Sequence, residues 1–276
     1  MLQFKFGLRA VVGAAVALLF ILPLYWAAVA SLGRIGAPPP NTIQWLPTDP
    51  QWGNYPFLFD YLPMWRYLGN SVRVVATAVP LTIVTASMAG FAMSQLPLGR
   101  RRQLLMFSVI WMIIPSAAVW LFRFRIYVWL GLINSLWALI IPSVAASNPL
   151  FVLLFYWGFR QIPTEMFESA RLEGAGILTL WWKLALPLAR PTVVAVAVLS
   201  FVFYWSDFIG PVLYLFSTNL YTMPIGLQLV NQLDRTNWPL LMTAAMVMFA
   251  PIMLVFAFFQ RIFLHDLSIA NLFDRN

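Results

Sequence analysis

Six apolar stretches, each long enough to cross the roughly 30 Å hydrocarbon core of a bilayer as a helix, alternate along this chain with shorter polar ones. They run from about Ala10 to Leu32, Ser71 to Leu96, Leu104 to Phe122, Leu136 to Phe159, Thr192 to Phe216 and Leu240 to Phe263. The pattern predicts an all-α, polytopic membrane protein: one transmembrane domain over 1–276 with six helices and both ends on the same side. Pro80, Pro115, Pro142 and Pro251 fall inside these stretches, and each removes a helical donor and invites a kink or a hinge. The first stretch follows Lys5 and Arg9; a cleaved signal peptide ending at Ala28-Val29-Ala30 is the competing reading, but the run is longer than a usual signal core.

Two of the polar segments differ in kind. From Arg34 to Arg66 the chain is rich in Pro, Asn, Gln, Trp and Tyr, and Pro38-Pro39-Pro40 enforces a stiff extended start, as suits an external loop. From Ile162 to Pro191 it carries three of the nine acidic residues, Glu165, Glu168 and Glu173. Pro163 and Thr164 ahead of those carboxylates signal a capped helix start, Gly174 and Gly176 signal its stop, and a second short apolar helix is expected from about Leu178 before Pro187 and Pro191. On such a helix Phe167, Ala170 and Gly174 share one face, two small residues beside a large apolar one, a shape a second protein could dock against. A solvated helix between two spans fits the spacing equally.

Composition agrees with lipid as the main solvent: 62% of the residues are hydrophobic and 9% charged, and the mean hydropathy is +0.81. There is no cysteine, and His265 is the one histidine, so no thiolate or histidine metal cluster is available. The sequence holds no phosphate-binding G-x-x-x-x-G-K-[ST] loop, no H-E-x-x-H pair and no G-x-S-x-G elbow, so the chain is not expected to be an enzyme. Charge orients it. Lys5, Arg9, Arg100, Arg101, Arg102, Arg160, Arg171, Lys183, Arg190, Arg261 and Arg275 lie on one side; Arg34, Arg66, Arg73, Arg123, Arg125 and Arg235 lie on the other. The richer side should be cytoplasmic, which puts both termini and the Glu168 segment inside. The net charge of +8 then reflects topology and anionic lipid, with no case for nucleic acid.

Glu168-Ser169-Ala170, then Gly174, then Leu184 and Leu186-Pro187 resemble the loop signature of the membrane subunits of binding-protein-dependent ABC importers, E-A-A, three residues, G, nine residues, I-x-L-P. Ser169 and Leu184 depart from it. Asn70-Ser71, Ile114-Pro115, Trp205-Ser206-Asp207-Phe208, Met223 to Leu227 and Gln260-Arg261 extend the resemblance to the carbohydrate-uptake permeases of that family, with Ser206 in place of the commoner Asn and a tail from Leu264 that lacks the usual glycines. The resemblance implies a type I importer permease in the prokaryotic inner membrane, paired with a second permease subunit, ABC ATPase subunits that bind the ATP and Mg, and an external solute-binding protein. It implies that Glu168, Ser169, Ala170, Gly174, Leu186 and Pro187 dock the ATPase through a coupling helix.

Four residues are candidates for the solute path. Asp207 lies within a span, where a carboxylate costs ~3 kcal/mol unless it meets a partner or water. It either bonds a solute or caps the helix broken before Gly210-Pro211. Tyr204 and Trp205 could stack on a sugar ring or pack, and Asn70 opens the second span. Arg123 and Arg125 are candidates for contact with the binding protein, against snorkelling to headgroups. A permease for a non-sugar solute and an ion-coupled secondary transporter are the rival readings; the second should bury ionisable groups along several spans, and Asp207 is the one acidic residue placed there.

Overall fold

The computed structural model describes residues 2–144 and 148–273, without the side chains of 2–10 and 261–273. Lys5, Arg9, Arg261, His265 and Arg275 therefore lie outside the described side chains, as does the tail from Leu264. In chain order the elements are α1 (Leu2–Ser31), α2 (Asn54–Tyr61), α3 (Met64–Gln95), α4 (Leu98–Ile113), α5 (Ser116–Trp129), α6 (Trp137–Val144), α7 (Pro149–Arg160), α8 (Thr164–Leu172) and α9 (Ile177–Thr179). A π-helical turn (Leu180–Ala185) leads into α10 (Leu186–Leu188), followed by α11 (Arg190–Trp205), α12 (Ile209–Tyr214), a 3-10 turn (Thr218–Leu220), α13 (Met223–Leu233) and α14 (Trp238–Phe273).

Among the described residues, four apolar stretches, Val11–Ser31, Met64–Gln95, Trp137–Arg160 and Trp238–Gln260, are long enough to cross a membrane. Two further pairs, α4 with α5 and the Ile177–Leu188 segment with α11, reach that length only together and are bent by 92° and 83°. Counting each pair as one span gives the six expected. The third and fifth spans differ from their expected form. Pro115 lacks the amide to continue α4 and its backbone is extended, and the kink expected there between Leu104 and Phe122 is a full 92° turn. The fifth helix stops at Trp205, and α12 begins at Ile209 after a three-residue break instead of one helix continuing to Phe216.

The chain folds as two compact units, Met1–Trp65 with Met223–Pro251, and Arg66–Thr222 with Ile252–Asn276. In the first, the end of α1 is pinned by side chains that satisfy its freed carbonyls: Asn54 donates to Ser31 O (2.8 Å) and Gly33 O (2.7 Å), and Thr243 donates to Ser31 O (3.0 Å). The segment after α1 is tied down by Asn237, which accepts from the Gly36 amide at 3.0 Å, and a tilted Trp26–Trp238 pair joins α1 to the start of α14. Val11 to Leu22 of α1 stand exposed, as lipid-facing residues would.

The second unit holds a core of Phe91, Phe151, Phe155, Phe159 and Phe167 with Ala86, Leu180 and Val196. Helices α3 and α7 approach closely at Gly90, where an added Cβ would lie 2.8 Å from the Tyr156 amide nitrogen. A smaller core joins Val74, Tyr127, Leu139 and Tyr214. At its edge Asn134, at φ 59°, accepts from the Phe216 and Ser217 amides and donates to the Ser217 hydroxyl, bracing two loops against each other.

Candidate functional site

Helix α8 begins after Pro163, whose ring supplies the fixed φ but no side-chain acceptor; Thr164 makes no capping bond, so the expected hydroxyl cap is absent. Its end follows the expectation more closely. Gly174 takes φ +85°, its amide donates to Arg171 O (3.0 Å), and the Ala175 amide donates to Ala170 O (2.9 Å). This is the paired closure that needs a left-handed residue. Gly176, at φ −72°, has no part in it.

The face with Phe167 is not the open one. Phe167 is 4% exposed, packed against Phe91 with centroids 6.0 Å apart, and Ala170 packs on the same core. An amphipathic helix laid on a core buries its large apolar side, and that leaves Glu165, Glu168, Ser169 and Leu172 outward, spaced as one stripe at i, i+3, i+4 and i+7. Leu172 is 90% exposed. It was not among the residues expected from the sequence, although its place four residues after Glu168 marks the stripe. Of the other docking candidates, Gly174 and Pro187 are exposed, and Leu186 is half-buried against the core.

Three contacts fasten this segment to α3: Arg171 donates to Gln95 Oε1 at 2.6 Å, Phe167 meets Phe91, and Trp181 of the π turn donates to the Ser87 hydroxyl at 3.2 Å. Further along the same helix, the hydroxyls of Thr82 and Tyr204 lie 3.2 Å apart, and Thr85 donates to Ser143 O at 2.7 Å. Thr82 and Gln95 are separated by about 20 Å of continuous helix.

Tyr204 lines a cavity of about 1240 Å³ in the larger unit, walled by residues of α4, α5, α6, α7, α11 and α12. Its lining joins aromatic faces (Trp111, Trp120, Phe203) to a few polar groups: Arg123, Asn148, Ser206 and Asp207. The Asp207 carboxylate accepts from the Gly210 amide at 3.0 Å, and a Cβ on Gly210 would lie 2.3 Å from its second oxygen. It therefore caps the broken helix and faces the cavity at once. Asp207→Asn keeps that acceptor and is expected to leave assembly intact. Asp207→Leu removes it and should destabilise the purified protein by about 1–3 kcal/mol, read as a fall in detergent melting temperature.

Two path candidates are corrected. Trp205 is 1% exposed and stacked on Phe201 at 5.5 Å, so its ring has no face left for a solute. Asn70 is buried and donates to Asn219 O (2.9 Å) and Tyr221 O (3.0 Å) while accepting from Arg73; it clamps a loop and does not line the cavity. Asn70→Ala should lower the melting temperature and leave solute preference unchanged; a changed preference at wild-type stability would contradict the clamp. Arg123 and Arg125 also separate. Arg123 is half-buried in the cavity wall, while Arg125 is exposed and away from it.

The family model for the binding-protein-dependent transport system inner membrane component matches residues 82–269. The arabinooligosaccharides transport system permease protein AraQ of Halalkalibacterium halodurans is 30% identical over 207 residues, which cover 75% of this chain and 74% of that protein. The sulfoquinovosyl glycerol transport system permease protein SmoH of Agrobacterium fabrum is 28% identical over 240 residues, 87% of this chain and 84% of its own length. In three dimensions the chain is similar to one from the crystal structure of a bacterial ABC transporter involved in the import of the acidic polysaccharide alginate, with a TM-score of 0.73, 18% identity, and coverage of 94% of this chain and 96% of that one. At that identity the likeness is one of fold.

Proposed function

Because the chain belongs to the family of binding-protein-dependent transport system inner membrane components, we propose that it forms half of the path by which an ATP-driven importer takes up a sugar or sugar derivative. It is a permease, and the 1–276 chain acts as one transmembrane domain in the prokaryotic inner membrane with both termini and α8 cytoplasmic. The observation that carries this reading is α8 itself: a helix anchored inward by Phe167, closed by Gly174 and presenting Glu168, Ser169 and Leu172 outward. A separate ATPase that binds ATP and Mg docks on that stripe. Its movement passes through Arg171–Gln95 and Phe167–Phe91 into α3, and along α3 to the Thr82–Tyr204 contact at the cavity.

The chain's own contribution is thus mechanical and selective, with hydrolysis in the partner. A second permease subunit completes the path, and an external binding protein delivers the solute. Purification in mild detergent should recover an ATPase and a second permease chain, with hydrolysis raised by one sugar-loaded binding protein. A chain that purifies alone and moves solute down an ion gradient would overturn the reading.

A further inference from the structure

Within the cavity of the larger unit, charge is distributed unequally in its availability. Two charged side chains line it, Arg123 on α5 and Asp207 at the break after α11. Asp207 already spends its carboxylate on the Gly210 amide, whose glycine lies tight against the second oxygen. A carboxylate held at the start of a helix has part of its field cancelled by the amide groups it faces.

Arg123 is held in no ion pair: the one among the described residues is Arg34–Asp49, elsewhere in the chain. Its charge does not stand alone, since Asp207 of the same cavity and the Tyr214 hydroxyl both interact with it, but with no carboxylate in direct contact the guanidinium on a span still favours water or a charged ligand. Its guanidinium is a rigid fork that matches a carboxylate or sulfonate with two parallel hydrogen bonds, which no hydroxyl offers. The same cavity is lined by the aromatic rings of Trp111 and Trp120 and by the hydroxyl-bearing Ser206 and Tyr204. That lining suits a sugar ring with one acidic substituent: rings for the carbon faces, hydroxyls for hydroxyls, and the arginine for the acid.

We propose that Arg123 makes this cavity a binding site for an acidic saccharide, one that carries a carboxylate or sulfonate. The proposal rests on the reading of the chain as a sugar-importer permease, and it assigns Arg123 a role inside the path in place of contact with the binding protein. Arg123 selects the solute by its charge; Asp207 orders the break and leaves the acid site open.

The test is equilibrium binding to the complete purified complex, without its binding protein, of trigalacturonate and of neutral galactotriose, each up to about 10 mM, a range that reaches the weak end of specific binding. ATP hydrolysis in the same preparation reports separately on the permease reading. Wild type should bind trigalacturonate at least roughly tenfold more tightly than galactotriose, with the preference shrinking in about 0.5 M salt. Arg123→Gln should bring the two within about twofold, Arg123→Lys should keep part of the preference, and Arg125→Gln should keep all of it. Assembly yield of each variant shows that the complex is intact. Equal binding of the two sugars by wild type, no binding of either, or a preference untouched in assembled Arg123→Gln would each overturn the proposal, even with solute-stimulated hydrolysis intact. Failure of the complex to contain an ATPase at all would instead remove the permease reading beneath it.

Discussion

Gly174→Asp is expected to abolish solute uptake while the chain still inserts and assembles. An added Cβ at Gly174 meets nothing within 4 Å, so no clash inside the chain opposes it. The backbone cost of a side chain at φ +85° is about 1–2 kcal/mol, too little to unfold an anchored helix. A carboxylate there also adds negative charge to the carbonyl end of α8, beside Glu173, where the helix favours cations. On the proposed docking of α8, the larger effect arises at the partner's surface, because a charged group would fill space that this chain leaves empty. Uptake should fall to background, and hydrolysis should lose its response to loaded binding protein. Gly174→Ala, with similar strain but no charge, should retain a substantial part of both. Wild-type uptake by Gly174→Asp at normal abundance would remove α8 as the coupling element.

Gly90→Leu should have the opposite signature, loss of the folded protein itself. A Cβ at this position would lie 2.7 Å from Phe155 Cβ, 2.8 Å from the Tyr156 nitrogen and 2.9 Å from the Val152 carbonyl oxygen. Two of those atoms belong to the backbone of α7 and cannot rotate aside, so α3 and α7 must separate. Helices in lipid associate through close packing of small residues rather than through hydrophobic exclusion, so a gap here forfeits much of what holds the pair. Even Gly90→Ala should destabilise by about 1–3 kcal/mol, and Gly90→Leu should leave little monodisperse protein after extraction. Normal yield and melting temperature for Gly90→Leu would show that the two helices do not pack as described. Gly13, also on an apolar helix but with nothing within 4 Å of its Cβ, provides the control: Gly13→Leu should be tolerated.

The same contrast explains what the sequence could disclose. Span number and the position of α8 are written in local pattern: long apolar runs, Pro163 ahead of clustered carboxylates, and a glycine at the helix end. The 92° turn at Pro115 was half legible, since proline marks a weak point but the angle depends on what α4 and α5 pack against. Side-chain direction was less legible. Whether Phe167 faces a partner or its own core depends on Phe91, 76 residues earlier in the chain. Trp205 and Asn70 were candidates for the solute path, but Trp205 stacks on Phe201 one turn back on its own helix, and Asn70 satisfies the Asn219 and Tyr221 carbonyls. Asn134 could have been noticed, because asparagine three residues after Gly131 is a turn signal for left-handed backbone, which both residues adopt. Nothing local marked Arg123 as a cavity residue; that follows from the bend at Pro115, which carries α5 alongside the Asp207 break.

Contact between α8 and an ATP-hydrolysing partner is tested most directly by site-specific cross-linking, for which the cysteine-free chain is a clean background. A maleimide photo-cross-linker attached to the Leu172→Cys or Glu168→Cys variant, in complexes assembled in native membranes, should yield one dominant adduct that mass spectrometry identifies as the ATPase. The Trp129→Cys variant, labelled at a position 83% exposed in the wild-type chain that the proposed topology puts on the opposite side of the membrane, should yield none. Adducts of the Leu172→Cys variant with lipid or the chain itself alone, or ATPase adducts from the Trp129→Cys variant as readily as from Leu172→Cys, would contradict a cytoplasmic, ATPase-bound α8.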